Sequence, residues 1–164
     1  MPPRKKPVRR KKVAPASVGL TAAETRTATG SAIERLADRV ERDGGAVLAR
    51  YSDPFGGTPM LFAALPIDRV EPTPYQRDPS DTHVKRLMGV IEKIGRFLDP
   101  IVVVPADGQY LTPNGNHRLQ ALKKLGAKTV TGLVIPDPDV AFKILALNTE
   151  KAHNLREKDR KSVV

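Results

Sequence analysis

Five consecutive residues, Asn114-Gly115-Asn116-His117-Arg118, carry the densest chemistry in the chain. Asn-Gly is turn chemistry, and Leu119, Leu122 and Leu125 then follow at helical spacing. A small turn feeding a helix leaves main-chain amides unpaired at the positive end of the helix dipole, which suits an anion. His117 and Arg118 fall in the first helical turn, where cations oppose the dipole and need another reason to be present. A bound phosphate supplies one, because a guanidinium can grip it through two parallel hydrogen bonds. The competing account is an ordinary Asn-Gly turn with two exposed polar residues.

Two further clusters could line the same pocket. Gln76-Arg77 lies on a segment held extended by Pro72 and Pro74. Asp99, beside Pro100 and ahead of an apolar strand, could hold Mg²⁺ or a ribose hydroxyl, or merely cap a turn. Asp99 is the candidate catalytic carboxylate, with Glu71 as the other possible base for phosphoryl transfer. Metal-dependent cleavage of nucleic acid would need converging carboxylates, and Asp99, Asp78 and Asp81 are the set to consider. The three histidines, His83, His117 and His153, lack the paired spacing of a zinc site. No Walker A, G-x-G-x-x-G or G-x-S-x-G motif occurs. Most of the seven aromatics are expected to pack, which makes a base-stacking platform unexpected.

The elements that must position these residues can be read from the pattern. Ser31-Ala32-Ile33-Glu34 has the form of a capping box opening a helix over 31–44, whose apolar positions are Ile33, Leu36, Ala37 and Val40. Short strands follow at 46–51 and 60–67 around a Gly/Pro loop. Ser80 or Asp81 caps a helix with Val84, Leu87, Met88, Ile91 and Ile94 on its apolar face, ended by Gly95. Strands at 101–104 and 109–112 flank the Asp107-Gly108 turn, and Gly126 closes the helix after the Asn-Gly turn. A strand at 129–135 and a helix beginning at Asp137-Pro138 complete the series. The fold class is α+β, a small mixed sheet flanked by helices, with the main domain over residues 45–150.

Charge divides the chain of 164 residues. Arg4, Lys5, Lys6, Arg9, Arg10, Lys11 and Lys12 make residues 1–12 wholly basic, and residues 151–164 hold five bases against two acids. Residues 13–150 balance at 16 basic and 16 acidic, so the net charge of +10 sits at the ends. Residues 1–30 cannot bury enough apolar surface to offset their ordering entropy and are expected to be a disordered basic tail. Such a tail attracts DNA without sequence preference, or acts only as a solubiliser. Residues 151–164 read as a basic helical extension. Without Cys there is no disulfide, thiolate metal site or cysteine nucleophile. No apolar run approaches the about 20 residues that span a bilayer, and the N-terminus lacks the apolar stretch of a secretory signal. The expected setting is the cytoplasm, at the nucleoid, with no membrane partner.

The motif order resembles the N-terminal domain of ParB-type partition proteins, a fold shared with sulfiredoxin and the free-serine kinases. The likeness runs over about residues 65–150. It rests on Pro74-Tyr75-Gln76-Arg77, a helix ending at Gly95, the strand after Asp99-Pro100, and Gly115-x-x-Arg118-x-x-Ala121. By this resemblance the Gly115–Ala121 turn cradles the phosphates of CTP or ATP, with Mg²⁺ as companion and Gln76-Arg77 facing the same pocket. Asn148-Thr149-Glu150-Lys151, with His153 and Asn154, falls near a further nucleotide-contacting segment. His117 stands where partition proteins carry a second Arg. Asn116 stands where sulfiredoxin has its catalytic Cys, so sulfinic-acid reduction is excluded. Gly95-Arg96-Phe97-Leu98-Asp99-Pro100 is one residue longer than the Gly-x-x-Gln-Pro element of partition proteins, which weakens CTP preference.

The implied function is a DNA-associated, nucleotide-binding module in chromosome or plasmid partition or DNA-linked regulation, with hydrolysis of the nucleotide and homodimerisation left open. The alternatives are an ATP-dependent kinase or a nuclease on the same fold. Full-length partition proteins continue into helix-turn-helix and dimerisation domains. Whether this chain is a fragment of such a protein or a stand-alone domain is open, and site-specific DNA recognition is not expected of it.

Overall fold

Alternating burial along β-branched segments builds a sheet, and Gly- and Ser-marked boundaries set the helices between its strands. The structure, a computed structural model, describes residues 2–4, 17–74 and 76–147. In chain order it contains α1 (Ser31–Arg42), β1 (Ala46–Ser52), β2 (Pro59–Pro66), β3 (Val70–Pro72), α2 (Asp81–Ile94), β4 (Ile101–Ala106), β5 (Gln109–Thr112), α3 (Asn116–Lys124), β6 (Thr129–Val134) and α4 (138–147). The six strands form one mixed sheet in the order β1-β2-β6-β4-β5-β3. The hairpins β1–β2 and β4–β5 are antiparallel. β6 lies between them, antiparallel to β2 and parallel to β4.

The core is aliphatic. Leu61, Ala63 and Leu65 project from one face of β2 at the two-residue strand period, beside Ile101, Val103, Val130 and Val134 of the neighbouring strands. Leu119 and Leu122 of α3 join them, and so do Ile33, Leu36, Ala37 and Val40 of α1. The core therefore crosses the expected boundary at residue 45: α1 belongs to the same packed unit as the sheet.

Three local expectations are corrected. Residues 17–30 were expected within a disordered tail, yet they run along the β1–β2 hairpin. The Leu20 amide donates to the Pro54 carbonyl at 2.8 Å, the Ser52 hydroxyl donates to the Thr27 carbonyl at 2.6 Å, and Ala28 is buried. A 3-10 turn at Ala23–Arg26 completes this strap. Its few apolar and hydroxyl groups suffice because the hairpin offers a ready surface. The basic residues Lys5, Lys6, Arg9, Arg10, Lys11 and Lys12 lie outside the described residues, as does the 151–164 extension, while Arg4 is exposed.

The Ser31–Glu34 capping box does not form. Ser31 is already helical, and the cap is Gly30 at φ 140°, a conformation suited to glycine. Glu34 pairs instead with Arg50 on β1 at 3.2 Å. Finally, Ile94, placed on the apolar face of α2, is half exposed, because the domain covers that helix only as far as Ile91. The other α2 boundaries stand: the Ser80 hydroxyl accepts from the His83 amide, and Gly95 closes the helix in the left-handed conformation.

Candidate functional site

The Asn-Gly turn is pinned from below. Gly115 sits so close to β4 that a Cβ built there would lie 2.5 Å from Ile101 Cγ2 and 2.8 Å from Thr112 Oγ1. Its backbone angles are open to any residue, so it is the close approach that demands glycine. The Gly115 amide donates to Thr112 Oγ1 at 3.0 Å, and Thr112 is fully buried. Thr112 was missed in the sequence. A Thr three residues before a turn glycine is a known local side-chain-to-backbone pattern and could have shown it.

From Gly115 the chain enters α3 with no side chain capping the helix. The first helical hydrogen bond runs from the Leu119 amide to the Gly115 carbonyl at 2.8 Å. The amides of Asn116, His117 and Arg118 thus stand at the positive end of the helix dipole with no side chain capping them. Asn116 is buried, and its amide oxygen accepts from Gln120 at 3.2 Å. Asn114 is exposed beside it.

Arg118 braces this turn. Its Nη1 donates to the carbonyls of Asp99 at 3.0 Å and Pro100 at 2.9 Å and pairs with Asp99 Oδ1 at 3.0 Å, while Nη2 reaches the Asn114 carbonyl at 3.4 Å. Arg118 therefore ties the head of α3 to the loop that enters β4. His117 acts in the other direction: its Nε2 accepts from the Ser80 amide at 3.1 Å, joining the starts of α2 and α3. Its ring meets His83 edge-on at 4.6 Å. Burial first, then the nearby His83, hold the His117 pKa below the ordinary histidine value. His117 is thus a neutral acceptor at neutral pH, with the proton on Nδ1.

The structure brings most of the expected residues together. Gln76 is anchored at the end of β5, where its amide donates to the Thr112 carbonyl at 2.5 Å and to Thr73 Oγ1 at 2.7 Å. Arg77, next along, is exposed and has no side-chain partner among the described residues. The candidate bases are both paired, Asp99 with Arg118 and Glu71 with Lys123 at 3.2 Å. Asp81 faces Lys124 at 3.9 Å. Among the described residues no three His, Asp or Glu converge as a metal ion would need, so Asp99, Asp78 and Asp81 do not form the cluster considered for a nuclease. Asn148-Thr149-Glu150-Lys151, His153 and Asn154 lie outside the described residues. No described helix is long and apolar enough to cross a membrane.

The family model described as the ParB N-terminal domain matches residues 58–152. Among solved structures, sulfiredoxin from Arabidopsis thaliana is 29% identical, with 51% of this chain and 96% of that one covered and a TM-score of 0.43. The C-terminally truncated chromosome-partitioning protein ParB from Caulobacter crescentus, complexed with CTP-gamma-S, is 27% identical. That match covers 52% of this chain and 49% of the other, with a TM-score of 0.45. A free serine kinase in complex with AMP is 22% identical, covering 45% of this chain and 30% of the kinase, with a TM-score of 0.41. The chain thus spans about half of the Caulobacter protein and less than a third of the kinase. No curated protein matches it.

Proposed function

Because the chain belongs to the ParB N-terminal domain family, we propose that it is a nucleotide-binding module that takes CTP or ATP, with the phosphates against the head of α3. The observation that carries this reading is the cradle at Gly115. The backbone there is drawn down onto Ile101 and Thr112, and the uncapped start of α3 rises from it with Arg118 and His117 holding its two sides. That donor set fits an oxyanion, since backbone amides and a helix N-terminus bind phosphate without a dedicated cation. Arg77, next in the chain to the anchored Gln76 and without a side-chain partner among the described residues, would supply charge to the phosphates. Mg²⁺ would arrive on the nucleotide rather than in a protein cage.

Calorimetric titration with CTP and with ATP, each with Mg²⁺, tests the reading. One of the two is expected to bind, and Arg77→Ala to weaken it about tenfold, or about 1.4 kcal/mol, without changing the melting temperature. If neither nucleotide binds, the reading fails.

The partition role, residence at the nucleoid and the DNA partner belong to the same proposal. Seven cations in residues 1–12 support DNA association through released counterions. Affinity for a duplex is expected to fall steeply with salt and to drop when residues 1–12 are deleted. An affinity indifferent to salt would remove the tail from the proposal.

A further inference from the structure

The turn that opens α3 is also a reactive sequence. Asn114-Gly115 is the only Asn-Gly pair in the chain. In such a pair the main-chain nitrogen of the glycine can attack Cγ of the asparagine side chain, because no Cβ on the second residue obstructs the approach. The N–Cγ bond forms, and ammonia leaves carrying the amide proton, which closes a five-membered succinimide. Water then opens one of the two ring carbonyls. The product is an aspartate, or an isoaspartate with one extra carbon in the main chain.

The structure holds the two partners of this reaction in opposite states. The Asn114 side chain is exposed, open to the water that the second step consumes. The nucleophile is withheld. The Gly115 amide donates to Thr112 Oγ1 at 3.0 Å in the interior, where Thr112 is fully buried. Ring closure requires that nitrogen to lose its proton and turn onto the side chain, which forfeits the bond. The same turn displaces the Asn114 carbonyl that Arg118 holds at 3.4 Å, and Gly115 is already wedged against Ile101.

We propose that Asn114 is a site of spontaneous deamidation, and that Thr112 sets its rate by withholding the Gly115 nitrogen. The ordered cradle keeps the residue as asparagine, and loosening that frees the Gly115 amide converts it irreversibly. A carboxylate then stands beside the amides that start α3, where it opposes an anion. That conversion costs nucleotide binding rests on the nucleotide reading of the site. The conversion itself does not.

Peptide mapping by mass spectrometry reads the reaction as a gain of one dalton at residue 114, during incubation of the full chain at mildly alkaline pH. The folded parent is expected to convert more slowly than the same chain in urea, by about tenfold or more. Thr112→Val removes the acceptor and is expected to convert about tenfold faster than the parent while folded, the rate equivalent of one hydrogen bond. Thr112→Ser restores a hydroxyl and should return the rate to the parent's. Val130→Ala truncates the core on β6 and leaves Thr112 in place, so it should lower the melting temperature without raising the folded-state rate. Equal rates for the parent folded and in urea overturn the proposal, and that comparison needs no variant to fold. So does a Thr112→Val rate equal to the parent's, or one that Val130→Ala matches, since general loosening would then set it. Nucleotide titration before and after conversion keeps the two readings apart: a parent that binds no nucleotide removes the effect on binding and leaves the mass result standing.

Discussion

Gly115→Ala is expected to abolish nucleotide binding and to cost about 1–3 kcal/mol of folding stability, the range for overpacking a filled interior. The added methyl would meet Ile101 Cγ2 at 2.5 Å and Ile101 Cβ at 2.7 Å. Ile101 is fully buried in β4 and β-branched, so it has no free rotamer to escape into. The turn would have to lift instead. Lifting it breaks the bond from the Gly115 amide to Thr112 and moves the amides that start α3, together with the Asn114 carbonyl that Arg118 holds. Denaturant unfolding and calorimetry on the same sample would read both effects. A variant that melts like the parent would show that the close approach is not rigid, and the account of the cradle would fall with it.

Asp43→Ala is expected to destabilise the protein by about 1–3 kcal/mol through the buried phenol it orphans. Tyr110 is fully buried, and its hydroxyl donates to Asp43 Oδ2 at 2.7 Å. The same carboxylate pairs with Arg39 at 3.5 Å and Arg69 at 3.6 Å. Those arginines also donate to the carbonyls of Ala106 and Gly108, around the turn between β4 and β5. Asp43 is thus the point through which the end of α1 is fastened to the far hairpin. Tyr110→Phe should cost less, because it removes the buried hydroxyl altogether and leaves Asp43 paired with Arg39 and Arg69.

The two variants also differ with pH. Burial, with the hydrogen bond to Asp43, pushes the Tyr110 pKa well above the ordinary tyrosine value. The unfolded chain releases this proton above about pH 10 while the folded chain keeps it, so stability falls as pH rises beyond that point. Tyr110→Phe should flatten the decline. A residual slope remains from Tyr51, which burial and Asp53 also raise. An identical alkaline profile in parent and Tyr110→Phe would exclude the phenol as its source.

Signals that are local in the chain were readable and those that join distant segments were not. The Asn-Gly turn, the Ser80 cap and the Asp107-Gly108 turn depend on residues within four positions of one another, and the structure has them. The pairing of Tyr110 with Asp43 spans 67 positions, and that of His117 with Ser80 spans 37. Neither side chain advertises its partner. His83 and His117 looked scattered because their meeting depends on two helices starting at the same place. The capping box failed for a related reason: Gly30 allowed a different entry into α1, and Arg50 of β1 was close enough to take Glu34. At the site, the turn and the helix that follows it were legible. The role of Arg118 was not, because the carbonyls it grips belong to a loop that folds back from 18 and 19 residues away.

The place of β6 sets a schedule for the protein's own birth. The two hairpins of the sheet do not pair with each other; β1–β2 on one side and β4–β5, with β3 on its outer edge, on the other are joined only through β6, the last of the six strands to be made. A ribosome that has synthesised the chain through α3 has therefore produced two ribbons that no strand yet joins, with the edges of β2 and β4 that β6 will fill still unpaired. The sheet can close only once Val134 has left the exit tunnel, and long-range pairing of this kind is slow. Until then the exposed ribbons are the state most prone to aggregate and most in need of a chaperone.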